Sequence, residues 1–145
     1  MRGAGDSARG AGGAVGAELE RRGPGRAVSV EVRTKRIYDP AEPGDGYRLL
    51  IDHVWPRGIS KARARLDEWA RELAPSDDLR RWFGHDPKRF AQFRSRYRRE
   101  LHNQADDRLD ELRARARRGA LTILYAARDR EHNNAVVLAE VLKEG

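Results

Sequence analysis

Ala120-Leu121-Thr122-Ile123-Leu124-Tyr125-Ala126-Ala127 is an apolar run interrupted only by Thr122. The polar loop Arg128-Asp129-Arg130-Glu131-His132-Asn133-Asn134 follows it. Beyond the loop, Val136, Val137, Leu138, Val141 and Leu142 recur at helical spacing. A short continuous apolar run is the mark of a strand covered on both faces. Strand, short loop and amphipathic helix together make an α/β unit. Upstream, Tyr47-Arg48-Leu49-Leu50-Ile51-Asp52-His53-Val54 reads as a second buried strand, ended by Pro56 and Gly58. A first strand signal lies near Val32–Ile37, and the turn-rich Tyr38–Gly46 segment separates the two.

The middle of the chain reads as helical. Leu66, Trp69, Ala70 and Leu73 fall at i, i+3, i+4 and i+7, which predicts one helical stripe. Ser76 is a predicted N-cap before Asp77 and Asp78, and Gly84 a predicted end of the same helix. Asp86-Pro87 opens a further helix with the stripe Phe90, Phe93, Tyr97 and Leu101. Another is predicted from about Asp106 to Arg118, with acids in its first turn, arginines in its last and Gly119 as its C′ residue. The expected fold is therefore α/β: a small, largely parallel sheet of about three to four strands flanked by about five helices, in a single domain.

The chain has 145 residues, 39% hydrophobic and 37% charged, with a net charge of +7 carried by 26 Arg and 4 Lys. That length suits one domain. Residues 1–27 hold 8 of the 14 Gly and only Val15 and Leu19 as larger aliphatics. They are expected to form a disordered tail, with the folded domain at 28–145. No stretch has the roughly 18 apolar residues of a membrane span or the apolar core of a signal peptide, so a cytoplasmic location is expected. Cys is absent, which excludes disulfides, thiolate metal sites and a Cys nucleophile.

Ligands of open α/β sheets bind beyond the carboxyl ends of the strands. The two strong strands end in Asp52-His53-Val54-Trp55-Pro56-Arg57-Gly58 and Arg128-Asp129-Arg130-Glu131-His132-Asn133-Asn134. Parallel neighbours would bring both groups to one rim. The N–H groups opening the last helix favour an anion there. Arg57 is the candidate anion clamp. His132 and Asp52 are the candidate proton-transfer groups. Trp55, His85, Asn133 and Asn134 are candidate ligand contacts. Each has a structural alternative: Asp52 as a satisfied carboxylate, Arg57 as an ion-pair partner, His132 and the two Asn as helix-start residues, Trp55 as core or pocket wall, His85 as a turn residue. No cofactor is implied. HExxH, EF-hand, Walker, GxGxxG and GxSxG spacings are all absent, and no metal site is expected. The expected partner is an anionic small molecule such as a phosphate or nucleotide, with no membrane partner. Nucleic acid is the alternative, because Arg94, Arg96, Arg98, Arg99, Arg113, Arg115, Arg117 and Arg118 crowd two helices. Intervening acids favour a salt-bridged surface instead.

Several blocks fall in order over about residues 33–142: Arg36-Ile37-Tyr38-Asp39-Pro40, Asp45-Gly46-Tyr47-Arg48-Leu49-Leu50-Ile51-Asp52-His53-Val54-Trp55-Pro56-Arg57-Gly58, Leu73-Ala74-Pro75-Ser76, Trp82-Phe83-Gly84-His85-Asp86-Pro87, Phe93-Arg94-Ser95-Arg96-Tyr97, Leu124-Tyr125-Ala126-Ala127-Arg128-Asp129 and Glu131-His132-Asn133-Asn134-Ala135-Val136-Val137-Leu138. Together they resemble the YeaO-like proteins. The resemblance implies a bacterial and archaeal domain of unknown function, without an established activity. Some members carry a MarR-type transcriptional-regulator label. That winged-helix fold is mostly helical with an antiparallel wing, and the strand-to-helix unit here points away from it. Longer relatives place a Cys-His-Arg motif where this chain has His132-Asn133-Asn134. Without a Cys, thiol chemistry does not carry over. A non-catalytic partner-binding protein is the remaining alternative.

Overall fold

The computed structural model describes residues 30–145, so the tail expected at 1–27 lies outside the described residues. Four strands form one sheet: β1 (Val32–Arg36), β2 (Tyr47–Leu50), β3 (Glu68–Trp69) and β4 (Leu121–Tyr125). Their spatial order is β1-β4-β2-β3, and all three pairings are parallel. Four α-helices accompany them: α1 (Lys61–Ala64), α2 (Asp77–Phe83), α3 (Phe90–Arg118) and α4 (Asn134–Glu144). The α/β class and the parallel sheet are as expected, with one fewer helix.

β4 is central, and every one of its residues is buried. Its apolar run serves two cores. Leu121, Ile123 and Tyr125 face the larger one, which α2, α3 and α4 complete through Phe83, Phe93, Tyr97, Leu112, Val137 and Leu138. Leu124 faces the smaller one, with Ile37, Leu50 and Ala64. The single polar residue of the run, Thr122, donates its hydroxyl to the Asp45 carbonyl at 2.6 Å, so its burial leaves nothing unpaired.

The predicted helix through Leu66, Trp69, Ala70 and Leu73 is instead β3 followed by a 3-10 turn at Arg71–Leu73. Its backbone donors go sideways. Asp67 N–H reaches Arg48 O at 2.9 Å, and Ala70 N–H reaches Leu50 O at 2.8 Å. The apolar residues then divide between the two faces: Leu66 and Trp69 pack on the smaller core, Ala70 and Leu73 in the larger. The two helices predicted at Asp86 and Asp106 run end to end within α3, the first preceded by a 3-10 turn at Pro87–Arg89 and the second set off by a kink at Ala105 (φ −140°, ψ 21°). Gly119 ends it in an extended conformation, φ 172°, rather than as a left-handed cap.

Local signals hold elsewhere. Ser76 Oγ accepts from Leu79 N–H at 3.3 Å, and Gly84 closes α2 at φ 54°. Gly46 is required by its neighbours as well as by φ 65°. A Cβ there would lie 2.2 Å from the Ala120 carbonyl oxygen, which accepts from Tyr47 N–H at 2.9 Å. Among the described residues no helix is long and apolar enough to cross a membrane.

Candidate functional site

Parallel pairing of β2 with β4 brings their carboxyl ends to one rim. The chain past β2 turns Asp52 across that rim, where Oδ2 accepts from Ala126 N–H at 2.9 Å. Beside this contact opens a pocket of about 420 Å³. Asp52, His53 and Val54 supply one side, and Ala126, Ala127, Asn133 and Asn134 the other. Arg80, Arg81 and Phe83 of α2, Phe93 of α3, and Pro75 and His85 on either side of α2 close it.

Burial pushes the Asp52 carboxyl above the ordinary carboxylate range. The Ala126 N–H, the Asn134 amide (3.4 Å) and the charges of His85 and Arg80 oppose the shift without cancelling it. His85 sits at φ 57° directly after Gly84 at φ 54°. A left-handed non-glycine residue costs about 1–2 kcal/mol, a strain that clusters at functional positions. The turn sets His85 6.1 Å from Phe83, which stacks on Phe93 at 4.3 Å. Arg80 pairs with Asp77 on its own helix, while its Nε is buried and has no hydrogen-bond partner among the described residues. Such a donor costs about 1–3 kcal/mol until something accepts from it. Arg81 pairs with Asp78 at 2.7 Å in full exposure.

Of the candidates read from the sequence, Asp52, His85, Asn133 and Asn134 line the pocket; Trp55, Arg57 and His132 do not. Trp55 turns to the smaller core, edge-on to Trp69 at 5.3 Å, and donates Nε1–H to Ile59 O at 2.8 Å. Arg57 is exposed beyond the Pro56 turn, where its carbonyl accepts from the Tyr38 hydroxyl at 2.6 Å. His132 is held by Asp129, at 2.9 Å to Nδ1 and 3.0 Å to its backbone N–H, with its ring edge-on to Phe90. Asn133 is the N-cap of α4: Oδ1 accepts from Val136 N–H at 3.0 Å, and Nδ2 donates to Asp129 O at 2.9 Å. Asn134 Oδ1 accepts from Ala135 N–H at 3.0 Å. The opening N–H groups of α4 expected to hold an anion are therefore partly taken by side chains.

Arg80, Arg81 and His53 escaped the sequence reading. Arg80 and Arg81 looked like part of the general arginine crowd, and only the packing of α2 against the rim separates them from it. Among the described residues no cluster of His, Cys, Asp and Glu is arranged to hold a metal ion. The arginines of α3 are neutralised only in part. Arg94 pairs with Glu140 at 2.9 Å, Arg98 with Glu140 and Glu144, and Arg108 with Glu68, Glu72 and Glu111. Arg113 pairs with Asp110 at 3.0 Å, while Arg96, Arg99, Arg115, Arg117 and Arg118 have no ion-pair partner among the described residues.

The model of the inactive DUF488-N3 subclade matches residues 31–145. The uncharacterized protein YeaO of Escherichia coli K12 is 44% identical over 116 residues, covering 79% of this chain and 98% of that one. The uncharacterized protein Rv3073c of Mycobacterium tuberculosis H37Rv is 43% identical over 111 residues, covering 77% and 92%. Mb3100c of Mycobacterium bovis, also uncharacterized, shows the same figures. No solved structure matches the chain. With that family model spanning the whole described domain, the chain belongs to the inactive DUF488-N3 subclade and is a YeaO-like protein.

Proposed function

We propose that the rim pocket binds a small molecule carrying a phosphate or carboxylate group, and that it does so without turning the ligand over. The observation that carries this reading is Arg80: it lines a pocket large enough for a metabolite, and its buried Nε has no partner among the described residues. An oxyanion accepting from Nε would satisfy that donor in a charge-assisted bond. His85 and His53 add two donors in the same pocket. The clamp expected of Arg57 thus falls to Arg80.

Binding is favoured over catalysis by the family's description as inactive. The residues at the start of α4 agree with it. Asn133 is occupied as a cap, His132 is tied to Asp129 outside the pocket, and the chain has no Cys. Asp52 then acts as a recognition group rather than a base.

The test is calorimetric titration of the full chain with inorganic phosphate and with 3-phenylpropionate, repeated on Arg80→Gln. Either anion should bind the parent, the variant should lose about ten-fold or more in affinity, and the ligand should be recovered unchanged by NMR. Equal affinity in parent and variant contradicts the reading.

A further inference from the structure

We propose that the natural ligand of this pocket is a zwitterion of the amino-acid type with an apolar body. The inference rests on the anion-binding reading and narrows it. The pocket holds opposite charges at two places, the Asp52 carboxylate and the Arg80 guanidinium, close enough for each to act on the other. Val54, Pro75, Phe83 and Phe93 give it an apolar wall.

A ligand bearing only an anion would satisfy Arg80 and bring negative charge toward a carboxylate that burial already disfavours. A ligand bearing an ammonium as well removes that conflict. Asp52 has acceptor capacity left for it: Oδ2 takes the Ala126 N–H, Oδ1 takes only a long contact from Asn134, and each carboxylate oxygen accepts two donors. The ligand's carboxylate accepts from Arg80 Nε, and its side chain rests on the Phe83 and Phe93 side of the pocket. The volume, about 420 Å³, accommodates an aromatic amino acid. The titratable or charged groups that line the pocket with Asp52 are His53, Arg80, Arg81 and His85, with Tyr97 close by and Asp77 outside the lining, paired with Arg80. No second carboxylate lines the pocket to compete for the ammonium.

Calorimetry with three probes separates the parts: L-phenylalanine, 3-phenylpropionate, which lacks the ammonium, and phenethylamine, which lacks the carboxylate. L-Phenylalanine should bind about ten-fold or more tighter than either. Asp52→Asn should remove that advantage and leave 3-phenylpropionate binding at least as tightly as before. Arg80→Gln should abolish 3-phenylpropionate binding and leave phenethylamine unaffected. If 3-phenylpropionate binds as tightly as L-phenylalanine and depends on Arg80, the zwitterion is refuted and the anion site stands. If none of these probes and no inorganic phosphate binds, both fall. The probe comparison needs no variant, so it decides the matter even if a substitution unfolds the chain.

Discussion

Two carboxylates flank the same strand and meet opposite fates. Asp45, just before β2, is 3% exposed, yet its carboxyl is held below the ordinary range. Burial would raise it, but the Glu42 N–H (3.0 Å), Lys35 (3.0 Å) and Arg48 (2.5 Å) more than compensate. Asp52, just after β2, receives one good neutral hydrogen bond and one long one, and its carboxyl is pushed up. The amino end of the strand is closed by full ion pairing. At the carboxyl end the cations stand near the carboxylate without bonding it, and one of them, Arg80, keeps an unsatisfied buried donor. A chain that satisfies one buried carboxylate so completely has the means to satisfy another, which makes the shortfall at Asp52 informative.

The comparison breaks most sharply at Asp45. Replacing it with Ala strands Arg48, itself 5% exposed, and should cost about 3–5 kcal/mol in urea unfolding. A loss below about 1 kcal/mol would mean that the amino end is not held as described. His85→Gly should have the opposite sign. Relief of the left-handed strain should stabilise the fold by about 1 kcal/mol while weakening anion binding, a trade between stability and function. Unchanged binding with raised stability would remove His85 from the site.

The pH dependence sharpens the contrast further. The folded pKa of Asp52 lies above its unfolded value, so its contribution is complete below about pH 4 and is lost as pH rises through the folded value. Asp45 behaves inversely, its contribution present above that range and lost on acidification. Asp52→Asn should therefore gain stability relative to the parent as pH rises from 3 to 7, and Asp45→Asn should lose it. Parallel profiles for the two variants would erase the distinction. The smallest effect is expected at Arg57→Ala, within about 0.5 kcal/mol in stability and without change in ligand affinity. Loss of binding there would return the clamp to Arg57.

What could be read from the sequence follows from how local each signal is. β2, β4 and α4 were legible because a strand buried on both faces leaves an unbroken apolar run and because Asn133 caps its own helix. β3 was not. Leu66, Trp69, Ala70 and Leu73 have helical spacing, and only the free edge of β2 divides them between two cores. The rim was legible once the two strong strands were taken as parallel neighbours, and with it Asp52, Asn133 and Asn134. Arg80 was not, since one arginine among many acquires meaning only when α2 packs beside the rim. Trp55 and Arg57 are close to Asp52 in sequence, but Trp55 turns to the smaller core and Arg57 stands exposed beyond Pro56.

The central claim is that Arg80 awaits an oxyanion. Its most direct test is the side-chain Nε–H resonance of Arg80, followed by NMR as 3-phenylpropionate is added to labelled full-length chain. A saturable downfield shift with slowed solvent exchange at Arg80, and none at Arg57 or Arg94, is the predicted result. An unmoved Arg80 resonance while the ligand binds elsewhere would contradict the account.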